Sequence, residues 1–596
     1  MTAFAAVLSL GGDEAGKEAV ASVLAVTAGT KAQTFSSGAC TLLVAPLHPW
    51  EPAAPVVNPQ AGLAAAGQVM LEGRAGLRGA LQLRDDAPDL EIVSAACDRW
   101  GPERTHWMQG EYAFALWHLP RRTLTCARDG LGIRVLYVGQ SSRCTVVSNV
   151  LGAVVAHPDI PHELNHAALV RFLAHGTLTT TGATPYKAVR LLPPGHTLTI
   201  SADGGANLRR HWQPPRVQRL SATDRQSVVQ GYREALGASV HDRIAGRRST
   251  LFLSGGIDST TIAATAVDCA AELRAVAFRY RGIDMDEEVA LAAAAADRLA
   301  IPLDLVDADA DAAMEAERSQ LGPGTLVDEP GLSNWRAGLA RAAQFSTLAI
   351  YGEDGDALFA PPGGGALLAA QSIPSVVAAT LRFVASEREL PYLGLRLRER
   401  LGLSRAAPPV PLAWLTPDAR RVVEEFEDDT VLGLPPTPMA GNAQDHRTWA
   451  RLLKNVPYDF AVSLSPDVTR QRLAITLPLM DSRVIGYVTS VPPIPWCQRK
   501  RLARAAFAEQ LPASVLRRRK TPVTGGFDAM VAAWRRHHGS EDPAIDEVMS
   551  RGWIHQQVLK DALARGSTEA AMAAWRVLML NAWLSRGTIE RPACIR

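Results

Sequence analysis

Short β-rich runs broken by Gly, Pro and Asp fill roughly the first two hundred residues, among them Ala113-Phe114-Ala115-Leu116-Trp117 and Leu124-Thr125-Cys126-Ala127. This pattern predicts sheet, with a helix around Leu90 to Trp100. Beyond His211-Trp212-Gln213-Pro214-Pro215 the pattern changes: a helical period begins near Thr223, and strands then alternate with long Ala-rich and Arg-rich helices. Paired prolines end regular structure, so the sequence predicts a junction there, with domains over 1–214 and 215–596. A strand from Leu251 to Leu253, a helix from Ser259 and a strand at Ala275-Val276-Ala277-Phe278 form a βαβ unit, which implies an α/β fold with a parallel sheet. Pro-rich patches at 359–365 and 406–411 predict loops.

A chain of 596 residues is too long for one ordinary core, and 47% apolar with 20% charged residues is the balance of a globular protein. A formal charge of +2 argues against nucleic acid or a membrane surface as the main partner. The seven cysteines are scattered, with no Cys-x-x-Cys pair and no His cluster at zinc spacing, and so predict free thiols in a reducing compartment. The apolar start lacks a basic leader and runs into Gly11-Gly12-Asp13-Glu14, as a first strand does. With no uninterrupted apolar run of about 18 residues either, the expected location is the cytoplasm.

One turn carries chemistry. Leu251-Phe252-Leu253 reads as a strand, Ser254-Gly255-Gly256 as a tight turn, and Asp258-Ser259-Thr260 as the opening of a helix. Such a turn aims backbone N–H groups and a helix N-terminus at one point, which suits phosphate. Glycine lets the backbone approach the anion, and the Ser and Thr hydroxyls add donors. A carboxylate beside polyphosphate needs a metal, so Asp258 is expected to hold magnesium. The Walker Gly-Lys-Ser/Thr sequence is missing, which disfavours a γ-phosphate kinase or ATPase.

Ser254-Gly255-Gly256-Ile257-Asp258-Ser259 resembles the pyrophosphate loop of the asparagine synthetase family. Tyr351-Gly352-Glu353-Asp354-Gly355-Asp356 resembles that family's second loop, which implies pyrophosphate contact at Gly352 and a second magnesium carboxylate at Asp356. Leu477-Pro478-Leu479-Met480-Asp481-Ser482-Arg483 and the stretch from Leu511-Pro512 to Arg519-Lys520 resemble two further segments, and Lys520 is then the expected catalytic lysine. The resemblance implies ATP and magnesium: a carboxylate is adenylated, and Lys520 stabilises the oxyanion when an amine attacks. Glu353 stands where it can take the amine proton or order the loop, and Phe278 where it can line an adenine pocket. The bland alternatives are a solvated basic run for Lys520 and a turn-stabilising role for Asp356.

The first half resembles the family's glutamine-hydrolysing domain through Gly110-Glu111-Tyr112-Ala113-Phe114, Ala127-Arg128-Asp129-Gly130 and Leu192-Pro193-Pro194-Gly195-His196. The resemblance implies an Ntn-hydrolase-like αββα sandwich, followed by a PP-loop synthetase domain. The family's nucleophile is an N-terminal cysteine, whereas position 2 is Thr2, and Glu72-Gly73-Arg74 stands where the family reads Asn-Gly-Glu. These departures imply a retained fold without ammonia production, so the amine must belong to the substrate. Two branches fit, β-lactam synthetases and lasso-peptide macrolactam cyclases. Retention of Glu353, the run Pro411-Leu412-Ala413-Trp414 and the loop-rich C-terminal half are more similar to the cyclases. The expected partners are a leader-cleaved precursor peptide, a leader-binding protein and a leader peptidase. Alternatives are an ammonia-using asparagine synthetase, a small-molecule lactam synthetase, and a catalytically silent nucleotide-binding scaffold.

Overall fold

The computed structural model describes residues 2–10, 16–46, 51–101, 107–178, 182–215, 220, 224–280, 286–308, 326–329, 331–360, 373–391, 412–427, 452, 460–518, 548–549, 551–564 and 568–586. Lys520, the patches at 361–365 and 406–411, Pro411 and Cys594 lie outside them.

The first half forms two six-stranded antiparallel sheets. The first is centred on Ala3–Ser9 between Cys144–Ser148 and Cys40–Ala45. The second is centred on Gly110–His118 between Leu63–Leu71 and Thr123–Arg128. Alternate side chains explain why both central strands read as apolar runs. Phe4, Ala6 and Leu8 meet Ala113, Ala115 and Trp117 between the sheets. Ala3, Ala5 and Val7 turn outward with Val20 and Leu24 of the helix Lys17–Ala28. Tyr112, Phe114 and Leu116 turn the other way onto Leu90, Ile92 and Val93 of the helix Asp89–Trp100. The layers thus run helix, sheet, sheet, helix.

The second half begins with the helix Arg225–Ile244, whose start is fixed by the Asp224 side chain accepting the Ser227 N–H at 2.8 Å. It packs beside a five-stranded sheet, parallel throughout as the sequence predicts. The strand order is Leu303–Ala308, Glu272–Tyr280, Arg248–Phe252, Leu348–Ile350 and Ala474–Thr476. The helix expected from Ser259 begins earlier, at Ile257, because Gly256 in extended conformation (φ −75°, ψ 158°) serves as its N-cap. Ligands of parallel sheets gather beyond the carboxyl ends of the strands. Three of the four segments, those at Ser254, Tyr351 and Leu477, leave such ends, on three neighbouring strands.

A buried ionic network joins the halves. Glu111 lies on the second sheet and accepts from Thr476 Oγ1 at 2.8 Å and Leu477 N at 3.2 Å. Arg134 bonds Glu111 at 2.6 Å and the Ile475 carbonyl at 2.7 Å. Arg243, only 2% exposed, reaches Asp481 at 2.7 Å and Glu111 at 3.1 Å. The end of the strand Ala474–Thr476 is therefore held in place by the first half. Among the described residues no helix is long and apolar enough to cross a membrane, and six of the seven cysteines are free thiols.

Candidate functional site

The loop after Arg248–Phe252 is shaped by close approaches that only glycine permits. Gly255 has φ +66°, and a Cβ there would lie 2.7 Å from Leu291 Cβ and 2.8 Å from the Ala292 nitrogen. The turn is stitched from within: Ser259 Oγ accepts from Ser254 N at 3.2 Å, and the Thr260 hydroxyl donates to the Gly256 carbonyl at 2.8 Å. Ser254 is exposed at its tip, while Thr260 is fully buried, so Thr260 shapes the turn from below. Leu251 and Leu253 point into the core, and any contact they make with a ligand runs through the backbone.

The second loop leaves the adjacent strand Leu348–Ile350 and presses against the first. A Cβ on Gly355 would fall 2.3 Å from Asp258 Cγ, and one on Gly352 would fall 3.2 Å from the Ser259 nitrogen. Asp258 opens the helix Ile257–Ala266, and Asp356 lies in the short helix Gly355–Leu358. Both carboxylates converge on Lys500, whose Nζ contacts Asp258 Oδ2 and lies 2.7 Å from Asp356 Oδ1. One cationic atom thus occupies the point shared by two carboxylates from separate loops. Those two residues fit a bound divalent cation, the role that sequence alone expects of them.

Lys500 went unnoticed in the sequence. It follows the run Pro492-Pro493-Ile494-Pro495-Trp496 and sits in the left-handed region (φ 55°), which aims its side chain back at a loop 242 residues earlier. Its only local signal is the basic triplet Arg499-Lys500-Arg501, which any solvated helix start would show. The flanking arginines are occupied, Arg499 by Glu389 and Arg501 by Glu387 at 2.6 Å.

Lys520 lies outside the described residues, but the segment leading to it is anchored at the site. Arg518 Nη1 donates to the Ser254 carbonyl at 3.3 Å and pairs with Glu288 at 3.6 Å. Arg504 holds the same segment by donating to the Arg518 carbonyl at 2.8 Å.

Glu353 is half-buried and bonded to the Tyr351 hydroxyl; loss of solvent and the neighbouring Asp354 push its carboxyl up to about 7. Burial and Asp356 likewise raise Asp354 to about 6. A carboxyl near 7 is poised to exchange a proton at neutral pH. Phe278 stacks on Phe252 at 6.0 Å between centroids and 11° between planes, with Gly338 close against its edge. The structure places its ring in this aromatic cluster, on the next strand from the first loop.

In the first half, Thr2 is 1% exposed, and both its backbone N–H and its hydroxyl donate to the buried Glu51 carboxylate, the former at 3.1 Å. Glu72 accepts from the Ser482 N–H at 3.2 Å and lies 3.9 Å from Arg243, so this departure from the family pattern joins the contact between the halves. Burial and Asp481 push its carboxyl up to about 7 against the pull of Arg243. Arg74, the second departure, turns to Asp89 at 3.4 Å.

Two family models agree with this layout. The family model "Asparagine synthase" matches residues 231–585, and "Glutamine amidotransferase domain" matches 72–212. Asparagine synthetase [glutamine-hydrolyzing] 3 of Bacillus subtilis is 28% identical over 179 residues, covering 30% of this chain and 29% of that protein. Amidase chyE of Penicillium rubens is 31% identical over 183 residues, 30% of this chain and 26% of its own length. A putative asparagine synthetase of Mycobacterium tuberculosis (strain H37Rv) is 31% identical over 187 residues, 30% of this chain and 28% of its own. These alignments span under a third of each relative. Among solved structures, a glutamine phosphoribosylpyrophosphate amidotransferase from B. subtilis aligns at 14% identity and a TM-score of 0.26, over 51% of this chain and 65% of that one. With its family model matched over more than half of its length and both diagnostic loops in contact, this chain belongs to the asparagine synthase family.

Proposed function

We propose that this protein is an ATP-dependent, AMP-forming amide ligase that closes a macrolactam on a peptide, as in lasso-peptide maturation. An Asp or Glu side chain of the leader-cleaved precursor attacks the α-phosphorus of ATP and releases pyrophosphate. The peptide's own N-terminal amine then attacks the acyl-adenylate, forming the isopeptide bond and releasing AMP. Asp258 and Asp356 would hold magnesium, which when bound offsets charge on the pyrophosphate. The backbone of Ser254, Gly255, Gly256 and Gly352, with Ser259, would cradle that group. Lys520 is assigned the oxyanion of the attacked carbonyl and Glu353 the amine proton. Phe278 is assigned to the adenine side of the site.

The observation that carries adenylation is the convergence of Asp258 and Asp356 on one cationic atom at the ends of adjacent parallel strands. The source of the amine is argued from the first half. Thr2 gives both its donors to Glu51, and Glu72 is spent on Ser482, an arrangement that favours an amine carried by the substrate over one released from glutamine. The remaining steps in this account are a leader-binding protein and a leader peptidase that deliver the peptide, in the cytoplasm.

A second reading, an ammonia-dependent asparagine synthetase, is favoured by the names of the relatives. Incubating the purified chain with ATP and magnesium, and either an acidic leader-free peptide or aspartate plus ammonium, separates the two. AMP with a peptide lighter by one water supports the cyclase, whereas AMP with asparagine replaces it.

A further inference from the structure

We infer that Cys144, His157 and Asp159 form a zinc-binding site in the first half, at the end of its first sheet away from Thr2. Cys144 opens the strand Cys144–Ser148 and pairs with Ser9, at the opposite end of the strand Ala3–Ser9 from Thr2. His157 and Asp159 stand on the turn that follows the short helix Leu151–Val155. No local spacing marks the trio, because Cys144 and His157 are 13 residues apart and meet only through the fold.

One ligand atom from each residue lies within 4.8 Å of the other two. Cys144 Sγ and His157 Nδ1 are 3.6 Å apart. A tetrahedral zinc ion, with Zn–S at about 2.3 Å and Zn–N at about 2.0 Å, sets sulfur and nitrogen about 3.5 Å apart. The pair therefore already stands at the separation that ion requires. Cys144 and His157 are buried, while Asp159 keeps 23% of its side chain exposed and faces the route by which an ion and a completing water would enter.

The imidazole is held ready for coordination. The His157 carbonyl accepts the Ile160 N–H at 3.0 Å, which closes the turn, and a Cβ on Gly16 would fall 2.5 Å from Nε2, so the ring is wedged against that backbone. Nδ1 accepts the Asp159 N–H at 3.3 Å, and an acceptor nitrogen carries no proton, which is the form that binds metal. Zinc would replace this long contact and the one from the thiol, and Cys144 would release its proton to solvent as the Zn–S bond forms. Ser141 Oγ lies 3.5 Å from the sulfur but accepts the Arg143 and Cys144 N–H groups at 3.2 and 3.1 Å. With its lone pairs engaged, it orients the thiol from behind rather than ligating. Arg143 pairs with Asp159 at 3.6 Å from a side chain 65% exposed, a rim contact that an ion can displace. A thiolate, an imidazole and a carboxylate together select zinc over magnesium or calcium, so this site differs in kind from the carboxylate pair Asp258 and Asp356.

The test is titration of the full chain, stripped with a chelator, with Co²⁺ and then Zn²⁺, followed by absorption. One Co²⁺ per chain should bind with a thiolate-to-cobalt charge-transfer band, and Zn²⁺ should displace it. Carboxylates alone give no such band, so cobalt at Asp258 and Asp356 is not mistaken for it. Cys144→Ser should abolish the band, and Asp159→Asn should weaken Zn²⁺ at least about tenfold. Zinc should also raise the melting temperature of the unaltered chain, because it binds the folded state. The half-buried Asp159→Asn and the unaltered chain carry the test where Cys144→Ser does not fold. No charge-transfer band in the unaltered chain, a band that persists in Cys144→Ser, or zinc affinity unchanged in Asp159→Asn would overturn the site.

Discussion

Arg243 is the residue whose loss the interface should feel most. It is 2% exposed and donates to Asp481 at 2.7 Å and Glu111 at 3.1 Å, with Glu72 at 3.9 Å. Arg243→Met keeps the volume but leaves three buried carboxylates with one cation fewer. Removing one partner of a buried pair costs about 3–5 kcal/mol. The lower end applies here, since Arg134 still serves Glu111 at 2.6 Å and Arg483 still serves Asp481 at 2.7 Å. A loss of about 3 kcal/mol at neutral pH is therefore expected. The pH dependence follows from Glu72, which burial and Asp481 already raise from 4.5 to about 7. A carboxyl raised on folding binds its proton more tightly in the native state, so its stabilising contribution is present at low pH and lost as pH rises through about 7. Without Arg243 the carboxyl rises further, so the variant should lose more stability near pH 8 than near pH 5. Urea unfolding of both proteins at the two pH values measures this. Equal midpoints, or a larger loss in acid, would refute the reading of this network as the clamp between the halves.

Lys500→Met removes the cation shared by Asp258 and Asp356 and should lower ATP–pyrophosphate exchange by about a hundredfold or more, the scale of losing one preorganised charge, while the melting temperature changes little. Gly355→Ala must push Asp258 aside, since its Cβ would fall 2.3 Å from Asp258 Cγ; exchange should drop at least about tenfold, and an unaltered rate would show the loops not to be in contact during adenylation. With Glu353 raised to about 7, amide formation from a pre-formed acyl-adenylate should climb with pH to a plateau above about 7, and Glu353→Gln should flatten that limb; an unchanged profile removes the base role.

The sequence was most legible where function depends on backbone. Ser254 to Ser259 and Gly352 to Asp356 are short, glycine-marked loops beside apolar strands, and both sit where a parallel sheet gathers its ligands. Two-sided burial likewise made Ala113 to Trp117 readable as a central strand. What escaped was tertiary. Lys500 reaches the site from 242 residues away through a left-handed backbone, with no spacing to betray it. Glu72 reads as a lost glutamine contact, yet its carboxylate is used by Ser482 across the interface, a role no local pattern encodes. Lys520 was legible only through family likeness, and the structure adds the anchoring of Arg518 on Ser254 beside it.

Every proposed step depends on activation of an acid where Asp258 and Asp356 share a cation. ATP–pyrophosphate exchange in the presence of an acidic leader-free peptide, with Asp258→Asn and Asp356→Asn as controls, tests it most directly. Exchange should require both magnesium and the peptide's acidic side chain, and either substitution should abolish it. Exchange that persists in both variants, or none with any acid in the unaltered chain, would contradict it.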